Sequence, residues 1–150
     1  MDWITEQVAV AGGTITPEIW PELRRTMGIT AVVNMRAEQQ DLFGYPPPAA
    51  YLWLPVVDHT DPDLEQLALG AHFVDTLVRA GHRVLIHCGM GIGRSRTMAA
   101  AYLIWTGLSV DEALRQVEGT TRPIYRPERR QVLEAFASAL PPHRTETSEG

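Results

Sequence analysis

The stretch His87-Cys88-Gly89-Met90-Gly91-Ile92-Gly93-Arg94-Ser95 concentrates residue types that suit one kind of chemistry. Its glycines let the backbone fold tightly and turn N–H groups inward, and a concave nest of such donors binds an anion. A helix that opens near Arg94 adds a favourable dipole at the same point. Arg94 can close the cup with a planar, bidentate fork suited to phosphate. Residues Gly89, Met90, Gly91, Ile92, Gly93 and Arg94 are therefore the candidate phosphate-binding set. Cys88 lies at the floor of the cup, where a positive field favours the thiolate. An anionic sulfur beneath a bound phosphorus is placed for in-line attack. The plain alternative, a buried cysteine acting as a small hydrophobe, leaves Arg94 and the glycines unexplained. An arginine at a helix start opposes the helix dipole, and a bound anion accounts for it. Ser95 reads, on local grounds, as a first-turn hydroxyl that bonds nearby backbone.

The elements that must position this loop follow from patterning. Residues 4–11 read as a first strand. Thr16-Pro17-Glu18 reads as a helix start, with Gly28 as its stop. Residues 29–35 form a short apolar strand, 37–50 a loop marked by Gly44 and three prolines, and 51–57 another strand. Asp61-Pro62 reads as the cap of a helix reaching about Ala80, and Asp63 as a first-turn acid. Residues 83–87 (RVLIH) form the strand into the loop. The helix from Arg94 ends before Gly107. Ser109 and Glu112 form a capping box for the next helix, and Pro127 opens a last one to about Leu140. Alternating strands and helices predict an α/β fold, a single domain with a central, mainly parallel sheet flanked by helices. Ligands bind beyond the carboxyl ends of such strands. The loops after Met35, at Asp58 and at Cys88 should gather there.

At this point the chain resembles a known family. His-Cys-x5-Arg-Ser is the signature of protein tyrosine phosphatases, and the size and mid-chain motif look like the compact dual-specificity branch. Residues 29–36, 51–58 and 83–105 are each similar to family segments, and the resemblance covers residues 4–137. It implies metal-independent hydrolysis of phosphate monoesters through a phosphocysteine on Cys88. Arg94 would bind the substrate and transition-state oxygens. Ser95 would stabilise the leaving thiolate. His87 would support the loop and tune Cys88. An aspartate after the second long strand would protonate the leaving oxygen and later activate water, and Asp58 matches that position. Asp61 is the next candidate. A family glutamine that orients the hydrolytic water is replaced here by Arg129, with Gln131 two residues on. Arg122, in an Arg-Pro pair that resembles one in the family, either orients the loop or forms a surface salt bridge. Arg126, Arg129 and Arg130 otherwise read as a solvated helix face.

The 150 residues suit one domain, assigned to residues 1–140, with a disordered tail over 141–150. A net charge of −5 argues against a nucleic-acid partner. One cysteine excludes an internal disulfide and points to a reducing, cytoplasmic setting. Five histidines and that cysteine show no metal-ligand spacing, so no metal and no cofactor are expected. No stretch has the length of a membrane span or the pattern of a signal peptide. The expected partner is a phosphorylated protein, with phosphotyrosine first and phosphoserine or phosphothreonine next. A small phosphate monoester, such as a lipid, nucleotide or sugar phosphate, is the alternative. A rhodanese-like sulfurtransferase and a phosphate-binding module without turnover are two further readings. The Asp58 spacing and the glycine pattern disfavour the first, and intact Cys88, Arg94 and Asp58 disfavour the second.

Overall fold

The computed structural model describes residues 1–89, 93–120 and 127–141. Ten elements follow in the order β1 (Asp2–Trp3), β2 (Val8–Gly12), α1 (Trp20–Arg25), β3 (Ile29–Arg36), β4 (Ala50–Val56), α2 (Leu64–Arg79), β5 (Arg83–Cys88), α3 (Gly93–Trp105), α4 (Val110–Thr120) and α5 (Pro127–Ala139). The sheet order is β1-β2-β5-β3-β4. β2, β5, β3 and β4 are parallel, and only β1 runs antiparallel, against β2. This is the mainly parallel α/β architecture that the alternation of strands and helices predicts.

The strand pleat sorts the core into two faces. Val8, Val10, Ala31, Val33, Val84, Ile86 and Cys88 pack with α2, α3, α4 and α5. The alternate residues Ala9, Val32 and Leu85 pack with Trp20 of α1. Every residue of α3 from Gly93 to Ile104 is buried, as expected of a helix enclosed by neighbours on all sides.

Three local readings need correction. The first strand is a hairpin rather than a single run. Thr5 Oγ1 accepts the N–H groups of Gln7 and Val8 at 3.1 and 3.0 Å, and the turn it makes separates β1 from β2. α1 starts at Trp20, three residues later than expected, because the Thr16 carbonyl closes a separate turn by accepting from Ile19 and Trp20. The third concerns α2. Asp63 is its N-cap: its side chain accepts the Gln66 N–H at 2.8 Å while Gln66 Oε1 accepts the Asp63 N–H at 3.1 Å. Asp61 lies outside the helix and is not its cap. The Ser109–Glu112 box forms as expected, with bonds of 2.8 and 3.1 Å. Gly28 and Gly81 adopt φ of 72° and 93°, left-handed values that glycine takes at no steric cost where a helix must stop.

Asp63→Ala is expected to cost about 0.5–2 kcal/mol, the usual loss of a side-chain N-cap. Urea unfolding of the two proteins measures it, and the midpoint should shift with the slope unchanged.

Candidate active site

The pleat of β5 decides where the signature residues go. β5 lies between β2 and β3, pairing Cys88 with Gly12 and His87 with Asn34. Cys88 turns toward α3, and His87 turns to the α1 side with Asn34 and Arg36, which share its parity across the sheet. All four are buried. At the carboxyl edge, residues 37–49 close over His87. Trp20, Phe43 and Tyr51 pin this loop by edge-to-face contacts with centroids 5.0 Å apart. Trp20 Nε1 donates to the Pro46 carbonyl at 2.8 Å. Asn34 Nδ2 donates to the Gln39 carbonyl at 2.9 Å and to the Tyr51 hydroxyl at 3.1 Å.

This loop delivers two carboxylates. Asp41 is buried and reaches His87, with Oδ2 2.5 Å from Nε2. The other imidazole nitrogen, Nδ1, is 3.0 Å from the Gly13 carbonyl. Asp41 Oδ1 also accepts the Ile15 N–H at 3.2 Å and lies 3.5 Å from Arg36 Nη2. His87 therefore has an acceptor at each nitrogen, and the ring is locked in one orientation behind Cys88. Asp41 is thus a specific partner of the histidine that the resemblance expects to support the loop.

Glu38 reaches Arg94. Its two oxygens accept from Nη1 and Nη2 at 2.8 and 2.9 Å, and Nη1 also donates to the Val56 carbonyl at 2.7 Å. The Arg94 hydrogen bonds are the main cause that holds the Glu38 carboxyl down to about 2, and the same bonds raise Arg94. Asp58 approaches the same guanidinium, its Oδ1 3.5 Å from Nη2, and stays well exposed at the mouth of the site. Its Oδ1 also accepts the His59 N–H at 2.9 Å. Cys88 Sγ lies 3.4 Å from Ser95 Oγ, so the thiol can donate to Ser95, and the Ser95 O–H can donate once the sulfur is an anion.

Two glycines lie directly against guanidinium groups. An ideal Cβ on Gly89 would sit 2.9 Å from Arg94 Nη2 and 3.3 Å from Glu38 Oε2. One on Gly93 would sit 2.1 Å from Arg129 Nη2. Neither position is left-handed, so a side chain at either would meet a guanidinium and oblige it to shift, rather than strain a turn. Met90, Gly91 and Ile92 lie outside the described residues, as do Arg122 and Arg126.

The structure brings Cys88, Arg94, Ser95 and Asp58 to one sheet edge, with His87 directly behind. Glu38, Asp41 and Arg36 are the residues that motif reasoning missed. A signal existed: both acids follow β3 at the edge where ligands gather. Arg129 departs from expectation. It leaves the solvated face of α5 and is only 14% exposed, with its Nε 3.6 Å from Asp61 Oδ1. Arg130 does stay at the surface, paired with Asp111 and Glu134.

A family model described as "Dual specificity phosphatase, catalytic domain" matches residues 16–137. The chain belongs to that family. It is 35% identical over 123 residues to dual specificity protein phosphatase 1 of Homo sapiens, covering 78% of this chain and 32% of the relative. The chain thus spans about a third of that relative's length. Among solved structures, Tk-PTP in the active form matches with a TM-score of 0.73 and 29% identity, over 92% of this chain and 96% of the other. PTPMT1 in complex with PI(5)P matches with a TM-score of 0.75 and 25% identity, over 97% and 96%.

Glu38→Gln tests the Arg94 anchor. A carboxyl depressed to about 2 in the fold contributes stability that is complete above its ordinary 4.5 and is lost as pH falls toward 2. Urea unfolding should therefore show wild type more stable than Glu38→Gln near pH 6, with the gap closing between about pH 4.5 and 2. Glu38 is about half exposed, so solvent screens the pair and the gap should be modest.

Proposed function

We propose that this chain hydrolyses phosphate monoesters without a metal, through a phosphocysteine formed on Cys88. The observation that carries the reading is the convergence on Arg94. Its guanidinium is fixed by Glu38 on one edge, approached by Asp58 at 3.5 Å, and mounted one residue before Ser95, which faces the Cys88 sulfur at 3.4 Å. Nucleophile, oxyanion clamp, acid and thiolate stabiliser thus share one cup.

The chemistry follows in two displacements. Cys88 Sγ attacks phosphorus in line, and the bond to the leaving oxygen breaks. Asp58 gives that oxygen its proton. Arg94 and the loop N–H groups hold the equatorial oxygens as charge spreads over them. In the second step the Asp58 carboxylate takes a proton from water, the water oxygen attacks phosphorus, and sulfur departs as a thiolate. The Ser95 O–H donates to that thiolate, which makes it a better leaving group.

Phosphorylated protein is the substrate class proposed, with phosphotyrosine and phosphoserine or phosphothreonine side chains both admitted. The similarity to dual specificity protein phosphatase 1 supports it. The acid segment also lies open, with Asp58 and His59 well exposed, which supports a site that admits more than one length of phosphorylated side chain. The match to PTPMT1, whose structure holds PI(5)P, makes a phosphoinositide the comparison substrate. A cytoplasmic location belongs to the same proposal.

Cys88→Ser should abolish turnover and keep phosphate-analogue binding, whereas Arg94→Ala should lose both. Asp58→Asn should lower kcat by about 10²–10⁴ on substrates with poor leaving groups. The loss should shrink on an activated aryl phosphate, which leaves without a proton. Acid-quenched labelling with phosphorylated substrate should place the label on Cys88. Label on a histidine or aspartate would overturn the mechanism. Parallel assays on phosphopeptides and phosphoinositides decide the substrate class.

A further inference from the structure

Asp61 and Arg129 form a contact that the chemistry above does not use. Arg129 is the third residue of α5, where a positive charge opposes the helix dipole. The helix alone gives no reason for it to be there. Its side chain turns inward instead. The guanidinium lies against Gly93, at the first residue of α3, so closely that an ideal Cβ there would fall 2.1 Å from Nη2, 2.6 Å from Cζ and 2.9 Å from Nη1. Its Nε lies 3.6 Å from Asp61 Oδ1, and the two side chains are 14% and 15% exposed.

Asp61 belongs to the short segment between β4 and α2 that also carries Asp58. It is relieved of capping duty, because Asp63 caps α2. Three pieces of chain therefore meet at one guanidinium: the acid segment, the start of α3 where the phosphate loop ends, and α5. At that depth the two opposite charges favour staying together, so moving one bears on the placement of the other.

We propose that Arg129 is a positioning residue for the general acid. Seated on Gly93 and paired with Asp61, it anchors the Asp58–Asp61 segment over the phosphate loop, so that Asp58 meets the leaving oxygen. This rests on the assignment of Asp58 as the acid. It gives Arg129 a duty different from orienting water and from gripping a second anionic group of the substrate.

The test compares wild type, Arg129→Ala, Arg129→Lys, Asp61→Asn and Asp58→Asn on two aryl phosphates, one with an activated phenol and one with unactivated phenol. Asp58→Asn is the reference. If its loss does not grow as the leaving group becomes more basic, the acid assignment itself fails, whatever Arg129 does. With that reference in place, Arg129→Ala should lose about 10–100-fold in kcat on the poor leaving group, part of a full general-acid contribution. It should lose less than about threefold on the activated one, and the basic limb of its pH profile should flatten. Asp61→Asn should behave alike, and the double variant should be no worse than either single one, as for a coupled pair. Arg129→Lys should recover most of the loss.

Three results would overturn the proposal. An equal loss on both phosphates would show a role outside leaving-group protonation. A rise in KM alone would make Arg129 a substrate-binding cation. A burst of phenol followed by slow turnover would place it in the second, hydrolytic step. Should Arg129→Ala fail to fold, by thermal melting, Arg129→Gln and Asp61→Asn carry the same comparison.

Discussion

β5 is hydrogen-bonded along both edges and buried on both faces, and the site depends on how its last two residues leave the sheet. Pleating sends adjacent side chains to opposite sides. Cys88 therefore enters the helical face beside α3, while His87 is forced into the opposite layer. A buried imidazole there needs polar partners for two nitrogens. The Gly13 carbonyl meets one and Asp41 the other. Asp41 can reach that point only because the β3–β4 loop is clamped down by Trp20, Phe43 and Tyr51. An aromatic cluster on the far side of the sheet thus fixes the support of the nucleophile's neighbour.

Charge is arranged in the same spirit. Arg94 is almost fully buried, and a desolvated guanidinium without partners would be costly. Glu38 offsets that cost on the Nη1–Nη2 edge. Because its carboxylate stays about half exposed, Glu38 remains hydrated on its outer side and holds Arg94 without filling the cup. In the proposed reaction the anchor would orient the donors before substrate arrives, which is the condition under which donors lower a barrier rather than merely bind. Gly89 lies directly against this pair.

Much of this was legible in the sequence, and the rest was hidden for definable reasons. The strand-loop-helix context of Cys88 and Arg94 follows from local patterning: an apolar run, a glycine-rich turn and a helix start are each set by neighbouring residues. The parallel sheet follows from alternation. Asp58 is readable because it ends a strand at the edge where ligands collect. By contrast, Glu38 and Arg94 are 56 positions apart, and Asp41 and His87 46. No local preference marks which loop acid will meet which cation. Asp61 and Asp63 show the finer limit. Both are short acids preceding a helix, and only the geometry of the Gln66 box tells that Asp63 takes the capping role. Arg129 was misassigned for a related reason. Its spacing along α5 suits a solvated face, and its inward turn depends on Gly93 and Asp61, which lie far from it in sequence.

The two glycines that end up beneath guanidinium groups show why a loop motif conveys more than its chemistry. A glycine between Cys88 and Arg94 is readily explained by a tight turn, and that explanation suffices for the sequence. In the fold, Gly89 and Gly93 have ordinary backbone angles and are instead sites of close contact. Each admits one arginine: Arg94 from within the motif and Arg129 from α5. A methyl group at Gly89 would press on the Arg94–Glu38 fork, and one at Gly93 would press on the Arg129–Asp61 pair. The same small residue thus leaves room for the Arg94–Glu38 fork at one end of the loop and for the Arg129–Asp61 pair at the other, contacts that a turn-forming role alone would not require.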